Sequence, residues 1–91
     1  MNPEQLFQQL KDLAEKLDIK ISEQNFKATG IHVKSGFCKV NGQQRFIIDK
    51  HLPISKKNQV LAAFLGQLPI DTIFVVPKVR EYIASQNLKF T

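Results

Sequence analysis

Gly36-Phe37-Cys38-Lys39-Val40-Asn41-Gly42-Gln43-Gln44-Arg45-Phe46-Ile47-Ile48-Asp49 is the stretch that sets the architecture. Asn-Gly between two apolar-rich segments is a strong hairpin signal, because a tight turn there needs positive φ and these residue types tolerate it. A two-residue loop pairs Lys39 with Gln44 and Cys38 with Arg45. A four-residue loop pairs Val40 with Arg45 instead. Both registers give the same faces, since side chains alternate along a strand. Phe37, Lys39, Phe46 and Ile48 share one face, which reads as core. Gly36, Cys38, Val40, Arg45, Ile47 and Asp49 share the other, a mixed face expected to be covered by another layer or partly used.

On the N-terminal side, Leu6, Leu10, Leu13 and Leu17 recur at spacings of four, three and four, one face of a helix. Asn2 suits the cap, Pro3 the first helical position, and Glu4 the positive end of the helix dipole. The spacing predicts a helix over about residues 3–17. Ile19 and Ile21 alternate with Lys20, as in a short strand or extended link, and polar Ser22 to Asn25 reads as a turn. Phe26 to Val33 is ambiguous; Ile31 and Val33 flanking His32 fit a strand continuing towards Gly36.

On the C-terminal side, Ser55 suits the cap of a second helix, with Asn58 three residues on and Gly66 as a stop. Val60, Leu61, Phe64 and Leu65 form its apolar face. Ile73 to Val76 reads as a buried strand, reached from the hairpin by a right-handed crossover with parallel strands. Pro77 then opens a third helix that packs through Val79, Tyr82 and Ile83 and ends near Asn87. The expected fold class is α+β, one domain over residues 1–91 in the order α-β-β-β-α-β-α, with a small mixed sheet centred on hairpin 34–49.

Ninety-one residues, 43% of them hydrophobic and seven of them Phe, support one modest core. One cysteine excludes an intramolecular disulfide, and no Cys/His cluster has zinc-ligand spacing. A reducing cytoplasm is the simplest setting. The N-terminus lacks a basic leader followed by an apolar run. The longest apolar runs, Val60 to Leu65 and Ile73 to Val76, fall far short of the ~20 residues that span a bilayer, so no membrane partner is expected.

Charge is uneven. Residues 27–57 hold seven basic side chains and one acid, Asp49, for +6, while the other sixty residues sum to −1 against a total of +5. Uneven charge points to an anionic partner more directly than pI does. Strand alternation sends Lys39 and Arg45 to opposite faces. The candidate anion- or nucleic-acid-binding group is therefore Arg45, Lys50, Lys56 and Lys57, with Lys34 at the base of the hairpin. The competing explanation is that both Phe of the hairpin are core and the lysines only solvate edges and loops.

Three other constellations carry chemistry. Cys38 beside Arg45 has the setting for a lowered thiol pKa, although free Cys on a strand is more often a small buried apolar residue. Nucleophilic catalysis also needs a placed base, and His32 and His51 are the only histidines. Those two lie nineteen residues apart without a clear third ligand, so no metal or other cofactor is indicated. Arg80 near a helix start opposes the dipole, which marks either a functional Arg or one paired with Asp71 or Glu81.

Two resemblances accompany these readings. Lys34-Ser35-Gly36-Phe37-Cys38-Lys39-Val40 is similar to the RNA-contacting strand of RNA-recognition motifs, where a basic residue and Gly precede aromatics. The second aromatic and the βαββαβ order are missing. Residues 36–67 resemble the zinc-peptidase domains that cleave phage-type repressors, in which a hairpin ending in an Ile-Ile-Asn-like strand precedes a helix bearing His-Glu-x-x-His. In this chain Ile47-Ile48-Asp49 is followed by Leu52-Pro53 and a helix with Leu61-Ala62-Ala63-Phe64-Leu65-Gly66-Gln67. Ala63 and Gln67 then stand at the metal-ligand positions and Phe64 at the catalytic glutamate. The resemblance implies the hairpin-then-helix order without zinc hydrolysis.

The expected function is a non-enzymatic binding module that contacts nucleic acid or an acidic protein surface through residues 27–57. The alternatives are a protein-interaction or homodimer module using the mixed hairpin face or a strand edge, and a small thiol enzyme built on Cys38.

Overall fold

The computed structural model describes residues 1–25 and 35–88. Among them are helix α1 (Pro3–Lys16), strands β1 (Ile19–Gln24), β2 (Ser35–Val40) and β3 (Gln43–Asp49), helix α2 (Ile54–Leu65), a 3-10 turn (Ile70–Thr72) and helix α3 (Pro77–Leu88). The domain is a small α+β fold with a mixed three-stranded sheet, in the order β1-β3-β2.

α1 forms where the leucine spacing predicts it. The Asn2 side chain accepts from Gln5 N at 2.8 Å, and the Gln5 side chain returns to Asn2 N at 3.2 Å. This reciprocal cap satisfies two amides that the helix itself cannot. Phe7, Leu10, Leu13 and Ala14 are buried. Asp18, at φ +62°, turns the chain after α1, and Ile19 opens β1 immediately beyond it.

The hairpin has the two-residue loop. Asn41 and Gly42 both take positive φ, 51° and 81°, as a tight turn between twisted strands requires. Lys39 faces Gln44, Cys38 faces Arg45 and Phe37 faces Phe46 across the antiparallel ladder. β1 runs parallel to β3, from Ile19 opposite Gln44 to Gln24 opposite Asp49. Ser22 to Gln24 is therefore strand, where the polar composition pointed to a turn. An edge strand tolerates polar side chains, and two of them find partners: Ser22 meets Arg45 on the side away from the described helices, and Glu23 meets Lys57 of α2 on the other side. The ambiguous segment Phe26 to Val33, with Lys34, lies outside the described residues.

α2 begins earlier than Ser55. Pro53 stands at the cap, and its carbonyl accepts from both Lys56 N (2.9 Å) and Lys57 N (3.0 Å). Ser55 is an exposed residue of the first turn. α2 sits between the sheet and α3, with Leu61, Ala62 and Leu65 fully buried. Its Phe64 ring stacks on Phe46 of the central strand, centroids 4.2 Å apart and planes within 11°. Buried Asn58 donates from Nδ2 to Pro3 O at 3.1 Å, tying α2 to the first turn of α1, while its Oδ1 has no partner.

Ile73 to Val76 is extended after the 3-10 turn, so the element order follows the expected one, but the segment does not join the sheet. It runs beside α1, where Gln9, Asp12, Leu13 and Lys16 form a groove with Phe74, Val75, Val76 and Val79. Because it packs within the helical layer, the expected parallel crossover does not occur. The parallel pair is β1 with β3 instead. α3 buries Val79 and Ile83, and burial pushes the Tyr82 phenol above its ordinary pKa.

Two stability measurements check this core. Phe64→Ala removes the stack on Phe46 and is expected to cost about 3 kcal/mol, whereas half-exposed Phe37→Ala costs under about 1 kcal/mol. Urea unfolding distinguishes them, and equal losses would mean that Phe37 is a core residue. Asn58→Asp puts a carboxylate against the Pro3 carbonyl and is expected to cost about 3 kcal/mol at neutral pH. Asn58→Leu, which also removes the unpartnered Oδ1, costs less. The reverse order in thermal denaturation would refute this account of the α1–α2 tie.

Candidate functional site

The sheet has two unlike sides. Ile19, Ile21, Phe46, Ile48, Phe37 and Lys39 point to the side that carries α1 and α2. Lys20, Ser22, Arg45, Ile47, Cys38 and Val40 point to the other. The helices cover β1 and β3 but stop short of β2. Phe46 and Ile48 of the central strand are buried, whereas Phe37 on β2 is 51% exposed and Lys39 is exposed. The helix-bearing side is thus core over two strands only.

This unevenness creates an apolar flank. The Phe37 ring contacts Phe64 at 5.2 Å between centroids, tilted by 36°, so three rings run from the central strand to the surface. Phe64 and Val60 on α2 are half-buried beside it. Val40, next to the turn on the opposite side of β2, is 45% exposed. Large apolar side chains left in water cost free energy that a monomer recovers only by covering them.

The described basic residues of this segment do not form one surface. Arg45 lies across the sheet from α2, on the open side; its Nη1 reaches Ser22 Oγ at 3.4 Å and its Nε is buried without a partner. Lys57 turns inward to pair with Glu23 of β1, and its ammonium lies 6.0 Å from the Phe7 ring centroid. Lys50 and Lys56 are exposed at the junction between β3 and α2. Lys34 lies outside the described residues. The group expected from sequence is therefore divided: Lys50 and Lys56 remain available together, Lys57 is engaged, and Arg45 is on the other side. Lys39, set aside by strand alternation, shares the helix-bearing side of β2 with Phe37.

The remaining candidates resolve into local structure. Arg80 reaches Asp71 Oδ1 at 3.5 Å and donates to Ile73 O at 3.4 Å, which fastens α3 to the 3-10 turn. Asp49 accepts from His51 N at 3.0 Å, closing the turn after β3. Cys38 is half-buried on the open side of the sheet, opposite Arg45. Phe64, where the peptidase resemblance puts a glutamate, is a packing residue. Among the described residues no three His, Cys, Asp or Glu side chains gather to hold a metal ion, and no helix is long and apolar enough to cross a membrane.

The fold and flank define a small α+β domain with an aromatic surface at one edge of its sheet. Comparison with protein-family models, with curated proteins and with solved structures finds no match for this chain.

The two lysines of the first α2 turn are expected to behave differently. Lys57→Ala should lower stability by about 0.5–1 kcal/mol through loss of the Glu23 pair and its packing on Phe7. Lys56→Ala should leave stability within about 0.5 kcal/mol of the parent. Parallel urea titrations check this, and identical midpoints would show that the Glu23 pair is not held in solution.

Proposed function

We propose that this domain is a non-enzymatic protein-interaction module whose partner is an acidic protein segment, received on the flank where Phe37 meets Phe64. The carrying observation is the exposed Phe37 ring, in tilted contact with the half-buried Phe64 that stacks on the core, within a stretch almost free of acid. From Ser35 to Leu65 there are five basic residues and one acid, a balance of +4. The acid, Asp49, lies on the opposite side of the sheet from Phe37. Lys39 is exposed on the helix-bearing side of β2, and Lys56 is exposed in the first turn of α2. An apolar centre with a thin charged rim is the anatomy of a protein interface, in which aromatic anchors supply affinity and rim charges select the partner. Phosphate tracking needs several cations along one path, and the pairing of Lys57 and the position of Arg45 leave few. The hairpin-then-helix likeness to the repressor-cleaving peptidase domains, with Phe64 at the glutamate position, also supports binding without hydrolysis.

Selection of random peptides displayed on phage tests the reading. Enriched sequences are expected to be net acidic with an aromatic or aliphatic anchor. The double variant Lys39→Glu/Lys56→Glu should weaken their binding about tenfold or more while keeping the parent's unfolding midpoint within error. Neutral or basic winners, or binding indifferent to the double reversal, would refute it. Tight binding of an oligothymidylate with a steep salt slope would point to nucleic acid instead.

A further inference from the structure

Resting on that reading of the partner, we propose that the acidic segment binds as an added strand on the outer edge of β2. Among the described residues β2 is the outer strand: β3 is paired on both sides, while β2 is paired on one side only. Backbone N–H and C=O groups on such an edge form a ready template for another chain. The two edges are defended unequally. β1 carries exposed charges of both signs, Lys20 and Glu23, and α1 lies against it. β2 has no proline and no acid, and Lys39 is its one charged side chain.

The side chains around the edge specify what the added strand must contain. On the helix-bearing side, an incoming residue beside Phe37 meets an apolar flank completed by Phe64. Two residues further along the same side it meets Lys39. Because side chains on one side of a strand recur every second residue, the complementary segment carries an aromatic or aliphatic residue with an acid two positions away. Main-chain hydrogen bonds supply affinity, and the side-chain alternation supplies specificity. A second copy of this chain fits less well, because each copy carries a net charge of +5 and brings Lys39 without an acid to meet it.

The test uses a heptapeptide of sequence Thr-Glu-Val-Phe-Val-Glu-Thr, which puts both acids on the side of the Phe in either strand direction. Its register-swapped isomer, Thr-Val-Glu-Phe-Glu-Val-Thr, has the same composition with the acids on the opposite side. The first peptide should bind at least about tenfold more tightly than the isomer, a difference lost in Lys39→Glu. N-methylation of alternate peptide amides gives a second readout. One set of amides faces β2 and its methylation abolishes binding; the other set faces away and its methylation is tolerated. Amides of β2 should also exchange more slowly with solvent in the complex.

Equal binding of the two isomers, or equal tolerance of both methylated sets, overturns strand addition while leaving an acidic partner in place. No binding of the first peptide up to about 1 mM likewise overturns strand addition. The acidic partner itself fails only if display selection returns binders without acidic character. A dimer of the protein alone with protected β2 amides puts a second copy on the edge and overturns the inference. Oligothymidylate that protects the Phe37 side chain overturns it in favour of stacked bases.

Discussion

The seating of α2 on the central strand is the constraint from which the rest of the structure follows. Phe64 stacked on Phe46, with Leu61 and Leu65 buried beside it, fixes where α2 lies over the sheet. A stacked aromatic pair contributes about 0.5–1.5 kcal/mol beyond the area it buries, and sliding α2 towards β2 would give up that pair together with the burial of Leu61 and Leu65. α1 is held just as firmly. Its end is joined to β1 by Leu17 and Asp18 alone, and Asn58 binds its first turn to α2. Two helices of about 10 Å diameter are wide enough for a sheet whose outer strands are about 10 Å apart. β2 is left bare because the helical pair is displaced towards β1.

That displacement explains which features were legible in the sequence. The Asn2 cap, the leucine face of α1, the Asn-Gly turn and the Pro77 start of α3 each follow from the chemistry of a few adjacent residues, and each is present as read. The assignment of residues to the two sides of the hairpin also stands, because it depends only on strand parity. Coverage of those sides does not depend on parity. Phe37 and Phe46 share one side and face each other, yet one is half exposed and the other is 5% exposed. No local pattern separates them, since the difference comes from a helix some twenty residues further along the chain.

The errors share that origin. Polar Ser22 to Gln24 resembles a turn until β3 is laid alongside it. Ile73 to Val76 resembles a buried strand by its apolar composition, but beside α1 it buries only Val75 and leaves Phe74 75% exposed. Ser55 is a favourable cap by residue type, but Ile54 packs at the margin of the core and so starts the helix two residues earlier, with Pro53 at the cap. In each case a tertiary contact outweighed a local preference of about 1 kcal/mol.

Charge along the chain and charge on the surface diverge for the same reason. Residues 27–57 are strongly basic in sequence, with seven basic residues to one acid, but the fold sends Arg45 to the side of the sheet away from α2 and turns Lys57 onto Glu23. Among the described residues, Lys39 is the basic side chain that stands beside Phe37 on β2, and Lys56 is exposed in the first turn of α2. Sparse charge around an apolar centre is poorly suited to long-range capture of a polyanion, whose binding scales with the number of phosphates neutralised. It suits discrimination between short segments of similar shape, because an acid correctly spaced from an apolar anchor gains a partner while a basic residue at that spacing meets a like charge. The exposed Phe37 then makes physical sense. Its ring already rests against Phe64, so a segment bound as proposed would meet an anchor that is partly ordered beforehand, at a smaller loss of side-chain entropy.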